Sequence, residues 1–308
     1  MLYATGFNAW NQLQFETFGD NEPDDIPSFT CVLRRDEDDC VRPFFSYTRV
    51  NLKNGGCRVA GLVPKSHERL RTADGRAYTN FVEASNGVVV VHDGKDTLYQ
   101  YPSIHDLLSN GQCHSFPNFP NITQLVAYET GFAALSSAGS VWTWGDERYT
   151  ACLGRELTVS SPAETPSLVT DLDDLPTGPI TKLAAGGYVL AALTAGNDLY
   201  CWGHAGRSPM FDELPLEDAP NPVVIDDKDI VDVAVGEAHM LVLTADREVY
   251  VIGSNRNGQL GLPGVASTRS WMRIDLASVL GTGETVTGVA AGPRTSFLRV
   301  RRQPEECQ

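Results

Sequence analysis

Three segments of the chain repeat one pattern, and this repetition limits the possible folds more than any other feature of the sequence. The three copies are Ile122–Gly145, Ile180–Gly203 and Ile230–Gly253. Each copy has an apolar stretch, a turn that contains glycine, a second apolar stretch, a polar turn and a third stretch that ends in glycine. Short strands joined by glycine, asparagine or aspartate turns are typical of antiparallel sheets. Such a unit cannot bury its apolar faces alone, so the copies must pack against one another.

The spacing of the repeats predicts how many units the chain holds. Six positions end a third strand: Gly6, Gly61, Tyr101, Gly145, Gly203 and Gly253. Six repeats divide the 308 residues into units of about 50 residues, which suits blades of four short strands. The repeats are clear at 122–153, 180–207 and 230–262 and degenerate at 29–63 and 77–104. A seventh blade between residues 20 and 120 remains an alternative.

The two ends of the chain complete the set of repeats. Residues 286–300 supply a first and a second strand, whereas residues 1–15 begin with a third strand that has no predecessors. Pairing these ends in one closing blade removes two sheet edges that would otherwise invite aggregation. The sequence therefore predicts an all-β fold, a single closed β-propeller domain over residues 1–308 with about six blades.

A second motif follows the glycine that ends the third strand. Asn255–Gly261 reads NRNGQLG, and Asn8–Leu13 reads NAWNQL. A strand-ending glycine followed by this motif resembles the regulator of chromosome condensation repeat family. The layout of the chain is most similar to that of the short fungal tubulin-suppressor members.

The resemblance implies a propeller, commonly with seven blades, and functions that depend on binding. Relatives include an exchange factor for the Ran GTPase and a plant ultraviolet-B photoreceptor. The fungal tubulin-suppressor protein partners a small zinc-binding protein in tRNA wobble-uridine modification and diphthamide synthesis. Fold alone does not decide among these functions.

Composition narrows the classes of partner. The net charge of −15 and the sequence pI near 4.7 disfavour binding to nucleic acids and anionic membranes. No apolar run approaches the roughly eighteen residues that cross a bilayer, and the first residues, MLYATG, do not resemble a signal peptide. The seven cysteines form no Cys-x-x-Cys pair, which favours reduced thiols. We expect a monomeric protein of the cytoplasm, the nucleus or both.

Motifs for catalysis and metal binding are missing from the sequence. The segment from Gly87 to Lys95 resembles a phosphate-binding loop, but Asp96 stands where serine or threonine would bind magnesium. The six histidines lack the spacing of metal ligands. We therefore expect no enzyme activity, no cofactor and no metal.

Loops at equivalent repeat positions should emerge on one face of a propeller, which predicts where a partner binds. These loops are Phe7–Leu13, Asp146–Leu153, His204–Phe211 and Ser254–Leu260. The residues in them that are typical of interfaces, and that we expect to bind a partner, are Trp10, Arg148, Tyr149, His204, Arg207 and Arg256. All of these except Trp10 differ between blades, so the repeat does not require them. The opposite face of the propeller and its acidic rim are the alternative binding surfaces. The residues that the repeat itself explains, as structural parts of the turns, are Gly6, Asn8, Gln12, Gly145, Gly203, Gly253, Asn255, Gly258, Gln259 and Gly261.

The sequence thus predicts a non-catalytic protein-binding scaffold or adaptor. As the resemblance implies, its partner could be a small zinc-binding protein in tRNA wobble modification and diphthamide synthesis. The alternative function is that of an exchange factor or regulator for a small GTPase. Against this alternative, the chain has neither the basic N-terminal tail nor the inserted hairpin of the Ran exchange factor.

Overall fold

Strands dominate the chain. The computed structural model describes residues 1–16, 23–34, 40–52, 56–69, 81–206 and 211–302. In chain order the strands are β1 Leu2–Gly6, β2 Ile26–Leu33, β3 Cys40–Pro43, β4 Tyr47–Asn51, β5 Cys57–Gly61, β6 Phe81–Glu83, β7 Val89–His92, β8 Thr97–Tyr101, β9 His114–Pro117, β10 Ile122–Tyr128, β11 Gly131–Ser136, β12 Val141–Gly145, β13 Ser167–Leu168, β14 Ile180–Gly186, β15 Val189–Thr194, β16 Leu199–Gly203, β17 Asn221–Val223, β18 Ile230–Val235, β19 His239–Thr244, β20 Val249–Ser254, β21 Ser267–Arg273, β22 Glu284–Gly292 and β23 Thr295–Arg302. The short helices are α1 Lys65–Arg69 and α2 Ile104–Ser109, and 3-10 turns span Glu147–Leu153, Thr170–Leu172 and Leu276–Ser278.

The described strands form six antiparallel sheets. In spatial order these are β22-β23-β1-β2, β3-β4-β5, β6-β7-β8-β9, β10-β11-β12-β13, β14-β15-β16-β17 and β18-β19-β20-β21. Each sheet is a meander of three or four strands, which is the unit of a β-propeller blade. The predicted all-β propeller is confirmed, and the described part of the chain contains six blades.

Both ends of the chain contribute to one blade, as the sequence predicted. β1 pairs with β23 from Leu2 opposite Arg299 to Gly6 opposite Thr295. β22 and β23 therefore supply the first and second strands of this closing blade, and β1 supplies the third. On its other side β1 pairs with β2, the fourth strand.

The limits of the two degenerate blades differ from the predicted ones. The blade expected over 29–63 begins only at Cys40, because β2 pairs with β1 of the closing blade and not with a strand of its own repeat. This assignment rests on backbone hydrogen bonds, for which the sequence of β2 carries no distinguishing motif. The blade expected over 77–104 contains β6, β7 and β8 and continues to β9, which ends at Pro117, whereas residues 77–80 lie outside the described residues.

Residue contacts divide the chain into two compact units with three blades each. The first unit comprises the described residues of 1–62, 211–213 and 225–302, and the second comprises those of 63–206 and 214–224. In the first unit, Leu241, Val251 and Leu298 belong to a core shared by the closing blade and the β18–β21 blade. The prediction of one domain over 1–308 stays a prediction.

The second strand of a repeat is buried along its whole length in β11, β15 and β19. These strands read GFAALS, VLAALT and HMLVLT, without the polar alternation of a strand that has one face in water. Burial on both faces fixes their register. The loops at the ends of the strands are not part of this buried core, so they can carry variable residues.

Candidate protein-binding face

Two sets of loops emerge from each blade at the same end of its strands. The first residue of a second strand lies opposite the glycine at the end of a third strand in the pairs Thr295–Gly6, Tyr47–Gly61, His239–Gly253, Gly131–Gly145 and Val189–Gly203. The hairpin between the first and second strands therefore emerges beside the loop that follows the third strand. The sequence pointed to the second set of loops and missed the first.

Asparagine and glutamine side chains brace the loops that follow two of the third strands. Asn8 accepts a hydrogen bond from the Leu13 amide at 3.0 Å, and Gln12 accepts one from the Trp10 amide at 2.9 Å. In the equivalent loop, the Asn255 side chain accepts from Leu260 at 2.7 Å and that of Gln259 accepts from Asn257 at 2.9 Å. These bonds replace the pairing that a strand would have given the backbone amides.

The glycine that ends a third strand is required by its conformation. Gly6 has φ of +114°, and a Cβ there would lie 2.4 Å from the Arg294 carbonyl oxygen. Gly203 and Gly253 have φ of +119° and +112°, a region that residues with a Cβ rarely adopt. The remaining predicted turn glycines, all close to backbone or side chains of neighbouring segments, are Gly145, Gly258 and Gly261.

In the first unit, the loop of Gln12 carries exposed apolar side chains. Trp10, Phe45 and Leu62 are 44%, 47% and 58% exposed. Gln12 joins the first two, because its Nε2 donates to the Phe45 carbonyl at 3.3 Å while its Oε1 holds the Trp10 amide. Leu62 is placed beside them, since its amide and carbonyl both bond Ser46 at 2.8 Å. We call Phe7, Trp10, Phe45 and Leu62 the apolar cluster.

A basic side chain covers one side of the apolar cluster. The Arg294 guanidinium lies 5.6 Å from the centre of the Phe45 ring, and the Phe7 ring lies 5.6 Å from that same ring. Such a cation–π contact is worth about 0.5–1 kcal/mol at an exposed site. Arg294 also donates to Glu237 at 3.0 Å, and both side chains are 43% exposed. The hairpins of three blades thus contribute a mixed apolar and charged surface.

The predicted residue Arg256 lies in the neighbouring loop of the same unit and is exposed. Asp25 ties this loop to that of Trp10, because its carboxylate accepts from the Asn8 amide at 3.0 Å and from the Asn257 side chain at 2.8 Å. Of the predicted binding residues, Trp10 and Arg256 therefore occur on adjacent loops.

The second unit brings together three further predicted residues around Tyr188. The Tyr149 and Tyr188 rings stack at 4.7 Å, and the Arg148 guanidinium lies 5.9 Å from the centre of the Tyr149 ring. The exposed His204 joins them through its amide, which donates to the Tyr188 carbonyl at 2.9 Å. We call Arg148, Tyr149, Tyr188 and His204 the tyrosine cluster. The remaining predicted residue, Arg207, lies outside the described residues.

Local interactions perturb the ionisation of the tyrosine cluster. The hydrogen bond between Tyr188 and Tyr149, followed by burial, raises the pKa of Tyr188 to about 12. Hydrogen bonds from Arg148 lower the pKa of the Asp146 carboxyl. Tyr188 is therefore a neutral phenol at neutral pH, and Arg148 of the cluster forms an ion pair with Asp146, a combination suited to recognition.

The sequence missed Phe45, Leu62, Arg294 and Tyr188. Phe45, Arg294 and Tyr188 lie in hairpins between first and second strands. The sequence could have revealed them, because this hairpin and the loop after the third strand lie at the same end of the strands in any antiparallel meander. In the described ranges, no group of three or more His, Cys, Asp or Glu residues could hold a metal ion. No helix within them is long and apolar enough to cross a membrane.

Comparisons with known proteins agree with the repeat and the fold. The family model described as the regulator of chromosome condensation (RCC1) repeat matches residues 230–259. Human E3 ubiquitin-protein ligase HERC2 is 32% identical over 168 residues, which cover 53% of this chain but 3% of the ligase. The human regulator of chromosome condensation is 32% identical over 132 residues, covering 41% of this chain and 30% of that protein. The chain thus matches less than a third of either relative.

The fold is also similar to that of Prp20p from Saccharomyces cerevisiae. The TM-score is 0.65 at 13% identity, over 99% of this chain and 92% of that one. Fold and loops define the class of the protein as a β-propeller. Its repeat over residues 230–259 is similar to the regulator of chromosome condensation (RCC1) repeat.

Proposed function

We propose that this chain is a protein-binding scaffold or adaptor of the cytoplasm or nucleus and that it catalyses no reaction. The observation that carries the proposal is the apolar cluster beside Arg294. Exposed tryptophan and phenylalanine next to arginine is the composition of interface hot spots. Their backbone is held by Gln12 and Ser46, so little order has to be gained on binding.

We assign this surface to a basic protein segment with an apolar anchor. An aliphatic or aromatic side chain of the partner would insert among Trp10, Phe45 and Leu62. The net charge of −15 attracts a basic partner and speeds its association. Binding of this kind weakens as salt screens the charges, whereas the apolar contact persists.

A triple substitution tests the proposal. We expect Trp10→Ala, Phe45→Ala and Leu62→Ala together to reduce recovery of the partner from native extract at least tenfold. The matched control is Val265→Ala with Met272→Ala, two apolar side chains of the same unit that are 38% and 43% exposed. The control should recover the partner as wild type does, and thermal melts should show that both variants fold. Equal recovery with the triple variant would refute the assignment.

The alternative function is regulation of a small GTPase. It is supported by the similar fold of Prp20p, whose structural report concerns its binding to Gsp1p and histones. A nucleotide-release assay with a panel of small GTPases separates the two functions. Release accelerated at least tenfold by the wild-type chain would establish the alternative, and unchanged release by every GTPase would exclude it for that panel.

A finer form of the scaffold proposal names the partner. The layout shared with tubulin-suppressor members supports a small zinc-binding protein in tRNA wobble modification and diphthamide synthesis. Calorimetry with that purified protein measures the association directly. Absence of binding heat would reject this partner and leave the general scaffold function intact.

A further inference from the structure

A loop in the second unit contains an exposed hairpin tip at residues 158–161. After β12 and the 3-10 turn Glu147–Leu153, the chain passes through residues 154–166 before it returns as β13. Thr158 and Ser161 form an isolated antiparallel bridge, in which each amide donates to the other residue's carbonyl at 3.3 and 3.1 Å. Val159, between them, is fully exposed. The tip therefore projects into solvent on a defined backbone.

One guanidinium holds this loop together. Arg155 donates from Nη1 to the Ser161 hydroxyl at 2.7 Å and to the Ser161 carbonyl at 2.9 Å. From Nη2 it donates to the carbonyls of Thr143, Pro162 and Thr165 at 3.1, 2.9 and 3.3 Å. Every one of these acceptors is neutral.

The positive charge of Arg155 therefore lacks a counter-ion in the described part of the chain. None of its hydrogen bonds there goes to a carboxylate. Burial lowers the pKa of the guanidinium, the expected effect when a cation loses water without gaining an anion. An anionic group at the Ser161 hydroxyl would supply the missing charge and form charge-assisted hydrogen bonds.

The residue after Ser161 is a proline. Pro162 restricts Ser161 to extended backbone, so the serine is presented in one conformation before a proline ring. The neighbouring Ser160 has no proline after it, and its hydroxyl lies 3.1 Å from that of Thr158, whereas Arg155 donates to Ser161.

From this arrangement we propose that Ser161 is a phosphorylation site of a proline-directed serine kinase, and that Arg155 binds the phosphate. The co-reactant is magnesium-bound ATP. The Ser161 oxygen attacks the γ-phosphorus, the oxygen–phosphorus bond forms, and the bond from the γ-phosphorus to the bridging oxygen breaks. ADP leaves, and the hydroxyl proton passes to the base of the kinase.

Phosphorylation would change the surface beside the tyrosine cluster. The amide of Gly145, at the end of β12, donates to the Ala163 carbonyl at 2.8 Å, so the loop returns to the strand end from which Arg148 and Tyr149 follow. The phosphate adds a charge of about −1.5 to −2 at neutral pH. Phosphorylation of the loop therefore makes the charge of this surface more negative. This effect does not depend on the proposed scaffold function.

Site mapping tests the first half of the proposal. The folded chain is incubated with a proline-directed serine kinase and magnesium ATP, and the phosphate is located by tandem mass spectrometry. We expect phosphate on Ser161 in wild type and in the matched control Ser160→Ala. We expect its loss in Ser161→Ala and at least a tenfold reduction in Pro162→Ala. Absence of phosphate from Ser161, whether or not Ser160 or Thr165 carries it, would overturn the proposal.

A phosphorus NMR titration tests the role of Arg155 without altering it. The second pKa of the phosphate is compared between the folded phosphoprotein and its proteolytic peptide, for which the ordinary value is about 6. We expect the value in the folded protein to be lower by at least half a pH unit, because the guanidinium stabilises the dianion. Equal values in the two samples would show that Arg155 only fastens the loop and does not bind the phosphate.

Discussion

His239 gives the protein a specific dependence of stability on pH. The imidazole is fully buried, and its Nε2 lies 2.9 Å from the Ser296 hydroxyl. That hydroxyl donates its own hydrogen to the Gln259 carbonyl at 2.6 Å, so Nε2 donates to the Ser296 hydroxyl oxygen. Burial lowers the pKa of His239 to about 4, against a smaller opposing effect of the Thr295 backbone.

The sign and size of the effect follow from this pKa. The unfolded chain binds a proton at His239 below about pH 6.5, whereas the folded chain does so only near pH 4. The stabilisation is therefore complete above pH 6.5 and is lost as the pH falls toward 4. The loss is about 1.4 kcal/mol per pH unit, hence roughly 2 kcal/mol by pH 5.

The assay compares urea unfolding of wild type with that of His239→Gln, followed by tryptophan fluorescence between pH 7.5 and pH 4.5. Glutamine keeps a donor toward Ser296 but does not titrate. Between pH 7.5 and pH 4.5 its unfolding free energy should therefore fall by about 2.5 kcal/mol less than that of wild type. His204→Gln, at an exposed histidine, should follow wild type. Parallel curves for wild type and His239→Gln would refute the reasoning.

Further predictions concern the bonds between and within blades. Asp232→Ala should lower the free energy of unfolding by roughly 2–4 kcal/mol in urea titrations, because the carboxylate accepts from Val289 at 2.8 Å and pairs with Arg299 at 3.1 Å. A change below 0.5 kcal/mol would contradict this. Gln124→Ala should cost about 1–3 kcal/mol, since its side chain bonds both backbone groups of Leu183, while the neighbouring Thr123→Ala serves as the control. Deleting residues 1–6 should lower the melting temperature by about 10 °C or more, because β1 lies between β23 and β2; an unchanged calorimetric transition would show that the closing blade is dispensable.

The braced loops show why much of the repeat could be read from the sequence. Asn8 bonds a backbone amide five residues away, and Gln12 bonds one two residues away. Interactions of this range depend on local spacing alone, so the repeated spacing predicts the same turn at Asn255 and Gln259. The strand-ending glycine is equally local, because its φ and its missing Cβ are properties of one residue.

The composition of the binding surfaces could not be predicted from the sequence, because it depends on contacts between residues of different blades. Phe45 lies against Phe7, and Arg294 lies against Phe45, although these residues are far apart in the sequence. The position of β2 is a similar case, because its pairing with β1 is made by backbone groups that every residue carries. No spacing rule within one repeat predicts such neighbours.

By itself, the sequence determined the all-β class, the repeated blade and the pairing of the two chain ends, since periodic apolar strands and turn residues act over short distances. Only the tertiary structure decided which exposed side chains share a surface and that Arg155 lies against Ser161 with no counter-ion among the described residues. The physical reason is that the direction of a side chain and the burial of a charge depend on the segments packed around them, and each blade receives those segments from elsewhere in the chain.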